Sequence, residues 1–428
     1  MAPPVKKVNE ALKEYASESQ PHFGPEDKDT YDFKNDPYSE DGKRPEPFSA
    51  KGGASVLGPR NVTREMQSPD MMRPPSTDHG TMPNMKWSFA DSHTRIEEGG
   101  WARQTTIREL PTSVELAGVN MRLDEGAIRE LHWHKEAEWA YMLEGKARVT
   151  ALDTEGGNYL ANVEKGDLWY FPAGHPHSLQ GLSKGGCEFL LVFDDGNFSE
   201  DSTFLLSDWI AHTPKSVLAK NFRLAPEVFN HVPAKEKYIF QGSNPGSPED
   251  EMSKAALPKT SKLRFTHKML AQEPIKTPGG EVRITDTSNF PSQPPLPQHM
   301  SSSSPVLFVR CIGIPTPTVQ WSFFIRGRAR VTVFGSSTST RTFDYAPGDV
   351  GIVPKAMGHY VENLSDTEEV EMLEIFKAPK FEDFSLDQWL GETPARNVAE
   401  HLFKENPKLG KKFIEELNVE KQVVKAKL

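Results

Sequence analysis

At 428 residues the chain is long enough for two or three domains, each able to bury its own core. Its formal net charge of −10, with no basic run interleaved with aromatics, argues against a nucleic-acid surface, while a metal ion and an arginine or two can still set a local field for an anionic substrate. Two cysteines, Cys187 and Cys311, exclude a disulfide framework or a zinc–thiolate site, and no apolar run reaches the length of a membrane span.

Residues 1–55 are polar and rich in Pro, Gly and charge; they read as a disordered segment, with a short helix over Lys6–Tyr15. No apolar h-region follows Met1, so the cytoplasm is the expected compartment. The sequons at Asn61, Asn197 and Asn363 leave secretion open if the true amino terminus differs. From about Trp87 short apolar runs alternate with Gly, Asp and Pro, the pattern of an all-β barrel or sandwich. A first domain is assigned to 56–235 and a second to 236–400, with Ser243–Lys262 as a linker or long surface loop and 401–428 as a helical tail.

Within the first domain, His132-Trp133-His134 lies in a strand-like run and Glu138 follows. Alternation puts positions 132, 134, 136 and 138 on one face of an extended strand, with Trp133 and Trp139 turned the other way. Two imidazoles and a carboxylate then converge. Gly126 and Gly145 are placed at the turns flanking this strand, and Pro172-Ala-Gly-His-Pro-His177 is placed to bring His177 as a fourth ligand. His175 is read as a loop residue. Such a set leaves two positions open on an octahedral ion, suited to a small chelating acid plus dioxygen or water; the donors alone do not separate Mn from Fe, Ni, Cu or Zn. A lone His-x-His in a strand is more often surface or core than ligand, so the weight rests on all four together.

The second half repeats the first. Gly145-Lys-Ala-Arg-Val-Thr returns as Gly327-Arg-Ala-Arg-Val-Thr, Gly166-Asp through Pro172 returns as Gly348-Asp through Pro354, and His177 returns as His359. Asp208-Trp209 with Thr213-Pro214 is echoed by Gln388-Trp389 with Thr393-Pro394. Two copies of one β domain, each closed by a helical segment, is the simplest reading.

Positions 126, 132, 134, 138 and 145 fit the first motif of the cupin superfamily, and 166, 172, 174 and 177 fit the second, with Gly181 where Asn is usual. The longer runs Gly126–Tyr141, Gly166–Pro172 and Phe189–Thr203 resemble the bicupin oxalate decarboxylases, from about Gly58 to the carboxy-terminal helices. That resemblance implies an all-β fold of two tandem cupin barrels with peripheral helices. It implies Mn2+ at His132, His134, Glu138 and His177, with dioxygen as co-catalyst. Arg129 would reach the carboxylate of the substrate oxalate, and Ser199–Thr203 would be a lid whose Glu200 is the proton donor. The nearest alternatives are an oxalate oxidase, which ends in carbon dioxide and peroxide, and a non-catalytic storage bicupin. The family's habit of assembly makes a homo-oligomer the expectation, without nucleic-acid or membrane partners.

The second copy breaks at its metal motif. His359 and Asn363 survive, but Gln320 stands where Glu belongs and no His lies between Met300 and Gly358. The codons suggest a shifted or mis-spliced frame. Read from the third base of the Cys311 codon, residues 311–318 permit His-Trp-His-Pro-Asn-Ala-Asp, and the same frame over 303–310 permits Glu-Pro-Gly-Ala-Leu-Arg-Glu-Met. Degeneracy gives freedom at each position, yet Ile312, Gly313 and Ile314 fix the last two bases of the His-Trp-His codons, and the motif emerges in register. As the chain stands, only the first domain is expected to hold a metal.

Overall fold

The computed structural model describes residues 78–417, apart from 256–258, 278–279, 291–297, 304–308, 314–318, 336–338, 366, 379–380 and 382–383. The amino-terminal segment and its Lys6–Tyr15 helix, most of the break at 291–320, and the last eleven residues of the tail lie outside them.

The first half contributes β1 (Lys86–Ser88), β2 (Thr94–Glu97), β3 (Gly100–Thr105), β4 (Ala117–Leu123), β5 (Ile128–Trp133), β6 (Glu138–Glu144) and β7 (Lys146–Leu152). It continues with β8 (Asn158–Glu164), β9 (Asp167–Phe171), β10 (His177–Gly181), β11 (Cys187–Phe193), β12 (Phe204–Leu205), β13 (Ile239–Phe240) and β14 (Thr266–Lys268). The second half contributes β15 (Ile275–Thr277), β16 (Gly280–Thr285), β17 (Gln298–Ser303), β18 (Val309–Gly313), β19 (Gln320–Arg326) and β20 (Ala329–Phe334). After these come β21 (Thr340–Tyr345), β22 (Asp349–Val353), β23 (Gly358–Asn363), β24 (Val370–Phe376) and β25 (Phe384–Ser385).

Contacts divide the chain into two compact units. In the smaller, β21 carries residues 78–82 beside it: His79 bridges Thr340, and the Thr342 amide donates to Asp78 Oδ1 at 2.7 Å. Arg330 and Asp344 pair there at 2.7 Å, both buried.

The larger unit holds the first barrel. One sheet runs β14-β9-β6-β11-β4-β3-β2; the facing sheet runs β12-β5-β10-β7-β8, with β13 also on β5. All the paired strands are antiparallel, so each face alternates, and Val119, Met121, Ala140, Met142, Val149, Trp169, Phe189 and Leu191 close a dry core between the sheets. Each large apolar side chain buried this way stabilises the fold by about 1.5–3 kcal/mol. At the turn between β6 and β7, Gly145 has φ +77°, and a Cβ there would lie 2.5 Å from the Gly186 carbonyl oxygen. Gly126 is also in the left-handed region, as the flanking-turn reading expects.

The repeat is visible in the structure. β14 pairs with β9 of the first barrel, while β1 pairs with β22 of the second, so the short leading strand of each copy adds to the other copy's sheet. The helices Leu206–Ala211 and Leu386–Glu392 end alike: Thr213 Oγ1 donates to Trp209 O and Thr393 Oγ1 to Trp389 O, both at 2.7 Å. The architecture is the expected one of two β barrels with peripheral helices.

Two local expectations fail. Residues 132–138 are not one strand: β5 stops at Trp133, 134–137 form a turn, and Glu138 opens β6 in the opposite sheet. The supposed linker also contains a helix, Pro248–Ser253. Ser247 caps it, accepting from the Asp250 amide, and Glu249, Asp250 and Glu251 lie in its first turn, where the helix dipole favours acids.

Candidate metal centre

Three pieces of backbone bring the four candidate ligands together. His132 on β5 lies directly opposite His177 on β10. His134 follows from the end of β5, where its carbonyl accepts the Gly174 amide and so ties the Pro172–His177 loop to the site. Glu138 enters from β6, between Phe171 of β9 and Phe193 of β11. All four are buried, and their donor atoms lie within 4.8 Å of one another.

The imidazoles are aimed by a shared device. Each Nδ1 donates to a nearby backbone carbonyl: His132 to Glu130 O at 2.6 Å, His134 to Glu136 O at 2.6 Å, and His177 to His175 O at 2.8 Å. That fixes the tautomer and turns every Nε2 inward. Phe171 stacks on His177 at 4.0 Å between centroids, and Phe193 meets His134 edge-on. Trp169 Nε1 donates to Glu138 Oε1 at 3.0 Å, leaving Oε2 to face His134 at 3.2 Å and His177 at 3.5 Å.

The electrostatics suit a cation. Burial pushes His132 well below the usual imidazole range, and the Arg129 charge pushes the same way. Burial also lowers His177, against the opposing pull of Glu138. For His134 burial works downward too, but the bond and charge of Glu138 outweigh it and the group is raised. Burial alone would raise Glu138; the imidazoles of His134 and His177 hold it well below the ordinary carboxylate range instead. His177 Nε2 is buried and has no hydrogen-bond partner among the described residues. A buried nitrogen left open among three other converging donors is what a metal-binding site requires, so these residues fit a divalent ion.

Arg129, on β5, is 2% exposed, and its guanidinium donates to Glu200 Oε2 at 3.0 Å. Glu200 begins the short 3-10 turn Glu200–Ser202 and is itself buried. Sequence reading named both residues; the structure joins them to each other. It also supplies partners that sequence reading missed. Tyr238 donates its hydroxyl to the same Glu200 oxygen at 2.7 Å, and its ring lies between the Arg129 and Arg95 guanidiniums, 4.1 and 3.7 Å from the centroid. Burial and the Glu200 charge raise the Tyr238 hydroxyl well above its usual range, so it stays a donor.

In the second barrel His359 is buried on β23, and Gln320 is buried with its amide on Glu374 Oε1 at 2.5 Å. Among the described residues, the four first-barrel side chains are the group placed to hold a metal, and His359 is not part of it.

The cupin family model matches residues 88–230 and 267–407. The chain is 51% identical to the oxalate decarboxylase of Bacillus subtilis over 384 residues, covering 90% of this chain and 97% of that one. A probable oxalate decarboxylase of Arthroderma benhamiae is 39% identical over 353 residues, covering 82% and 87%. A solved structure of the Bacillus enzyme, studied for its Mn(II) centres, superposes with a TM-score of 0.80, covering 88% of this chain and 97% of that one. A double cupin match, and relatives aligned over nearly their whole length, place this chain in the bicupin oxalate decarboxylase family.

Proposed function

We propose that this chain is a manganese-dependent oxalate decarboxylase, forming formate and carbon dioxide, with its active centre in the first barrel at His132, His134, Glu138 and His177. The convergence of four buried donors, each imidazole fixed by its own backbone carbonyl, is the observation that carries the ligand assignment. When bound, the ion supplies Lewis acidity and a one-electron couple, with dioxygen as co-catalyst.

The chain's residues do the rest. The reaction consumes one proton, since oxalate dianion plus a proton balances formate plus carbon dioxide. Arg129 is the buried cation beside the site, and a substrate carboxylate would take the place now held by Glu200. Glu200, freed from Arg129 and carrying a proton, delivers it to the carbon that loses carbon dioxide. The turn around it covers the site and keeps out the water that diverts the reaction. What supports this role is its place: Glu200 is buried, bonded to Arg129 and Tyr238, and close enough to act on His134 through its charge.

We take 56–235 and 236–400 as the two cupin domains, a division that the matched segments support. A homo-oligomer is part of the proposal. Trp133 stacks on Phe204 and meets Trp209 edge-on, and Leu131, Phe204 and Trp209 are all more than half exposed, an apolar patch of the kind that association covers. No helix among the described residues is long and apolar enough to cross a membrane. The cytoplasm is the proposed compartment; of the sequons, Asn363 is buried with its amide on Glu368 O, which removes it as a glycan acceptor.

The test is turnover of labelled oxalate by the purified Mn-loaded chain. One formate and one carbon dioxide per oxalate are expected. Peroxide as the main product would move the assignment to an oxalate oxidase.

A further inference from the structure

Glu130 sits on β5 between Arg129 and the ligand His132, 3% exposed, and nothing in the chemistry above uses its carboxylate. That carboxylate is heavily bonded. Oε1 accepts from the Ser207 amide at 3.1 Å, Oε2 accepts from the amides of Lys237 at 2.7 Å and Tyr238 at 2.8 Å, and the Ser207 hydroxyl lies within 3.0 Å of both oxygens. The Glu130 amide in turn donates to Tyr238 O.

The two segments gathered there are the two that hold Glu200. Ser207 follows the Glu200–Ser202 turn by five residues, through β12, whose Phe204 and Leu205 pair with Trp133 and His132. Tyr238 reaches Glu200 through its hydroxyl, and its own backbone sits at φ +52°, a left-handed conformation that a bulky side chain keeps only when its surroundings enforce it. A carboxylate accepting two successive amides at that turn supplies the enforcement.

We propose that Glu130 is a positioning residue: its buried carboxylate clamps both supports of Glu200 and so sets where the proton donor stands at the substrate site. This rests on the reading of Glu200 as proton donor. Glu130→Gln keeps the shape but exchanges one acceptor oxygen for an amino group. Whichever oxygen is lost, the new N–H groups face amide donors, from Ser207 on one side or from Lys237 and Tyr238 on the other.

The experiment compares wild type, Glu130→Gln and Glu200→Gln as Mn-loaded full-length chains. In Glu130→Gln, exchange of the Ser207 amide, or of the Lys237 and Tyr238 amides, whichever face the new amino group, should quicken by about tenfold or more, the effect of losing a bond to a charged group. Formate production should fall by about tenfold and peroxide per formate should rise several-fold, while Mn per chain stays at the wild-type value. General loss of folding would instead lower both products together and release Mn. Wild-type amide exchange, or a wild-type product ratio while Glu200→Gln shifts it, overturns the clamp alone. Unchanged formate in Glu200→Gln removes the role of Glu200, and the clamp's purpose with it. If Glu130→Gln does not fold, Ser207→Ala decides: a smaller shift of the product ratio in the same direction supports the clamp, and a wild-type ratio overturns it.

Discussion

Glu200→Gln is the most informative single change at this site. The carboxylate is 9% exposed, and one oxygen takes both of its strong bonds, from Arg129 Nη2 at 3.0 Å and Tyr238 at 2.7 Å. An amide keeps the volume and one acceptor oxygen, so it can still accept from both donors and the pocket should stay closed. It cannot give up a proton on the time scale of turnover. Loss of a placed general acid costs about 10²–10⁴-fold, and because the amide preserves the packing the whole loss should appear in kcat. Formate production measured by ¹³C NMR should therefore fall at least about 10²-fold, with KM within a few-fold of wild type. Peroxide per oxalate consumed should rise in parallel, because decarboxylation and oxidation share their course up to protonation. Wild-type formate output would make Glu200 an ordinary buried acid paired with Arg129 and refute the reasoning.

Three further outcomes are expected. The chain should bind about one Mn, counted by metal analysis, because the group placed to hold an ion among the described residues is the first-barrel set of His132, His134, Glu138 and His177; two equivalents would show the ligand count to be wrong. Mn binding should release a proton at pH values in the ordinary imidazole range and below. His134 is raised and loses its proton to coordinate, whereas His132 and His177 are lowered and Glu138 is held ionised, so none of those three contributes. Affinity should thus rise with pH through the His134 titration, and calorimetry in buffers of differing ionisation enthalpy reads the proton directly; no buffer dependence would contradict the pairing. Gly145→Ala should cost about 1–3 kcal/mol in denaturant unfolding of the metal-free chain, since the β6–β7 turn is left-handed and its Cβ would meet the Gly186 carbonyl; an unchanged midpoint would mean the turn relaxes freely.

Much of the site was legible because cupin spacing is a local property. The four candidate ligands sit at fixed offsets from Gly126, Gly145, Gly166 and Gly174, which the structure places in left-handed turns, whereas Arg129 and Glu200 were named through the family resemblance. The face assignment for 132–138 failed because strict alternation assumes one strand, while a turn at 134–137 carries the chain from one sheet to the other. Ligands on two sheets can surround an ion; ligands along one strand face cannot do so as well. Trp169, Tyr238 and Glu130 escaped sequence reading for another reason. Their roles depend on pairings that bring Glu138 to Trp169 and Glu130 to Tyr238 from 31 and 108 residues away. The helix Pro248–Ser253 did leave a signal, Ser247 followed by Pro248 and three acids, which the Pro- and Ser-rich composition around it masked.

We propose that one Mn site, in the first barrel, carries the activity. The direct measurement is Mn content and formate production of His132→Ala/His134→Ala beside wild type, with folding checked by circular dichroism. About one Mn and steady formate are expected in wild type, and neither in the double variant, whose remaining Glu138 and His177 cannot hold a labile divalent ion tightly. Stoichiometric Mn with wild-type formate output in the double variant would place the active metal elsewhere and contradict it.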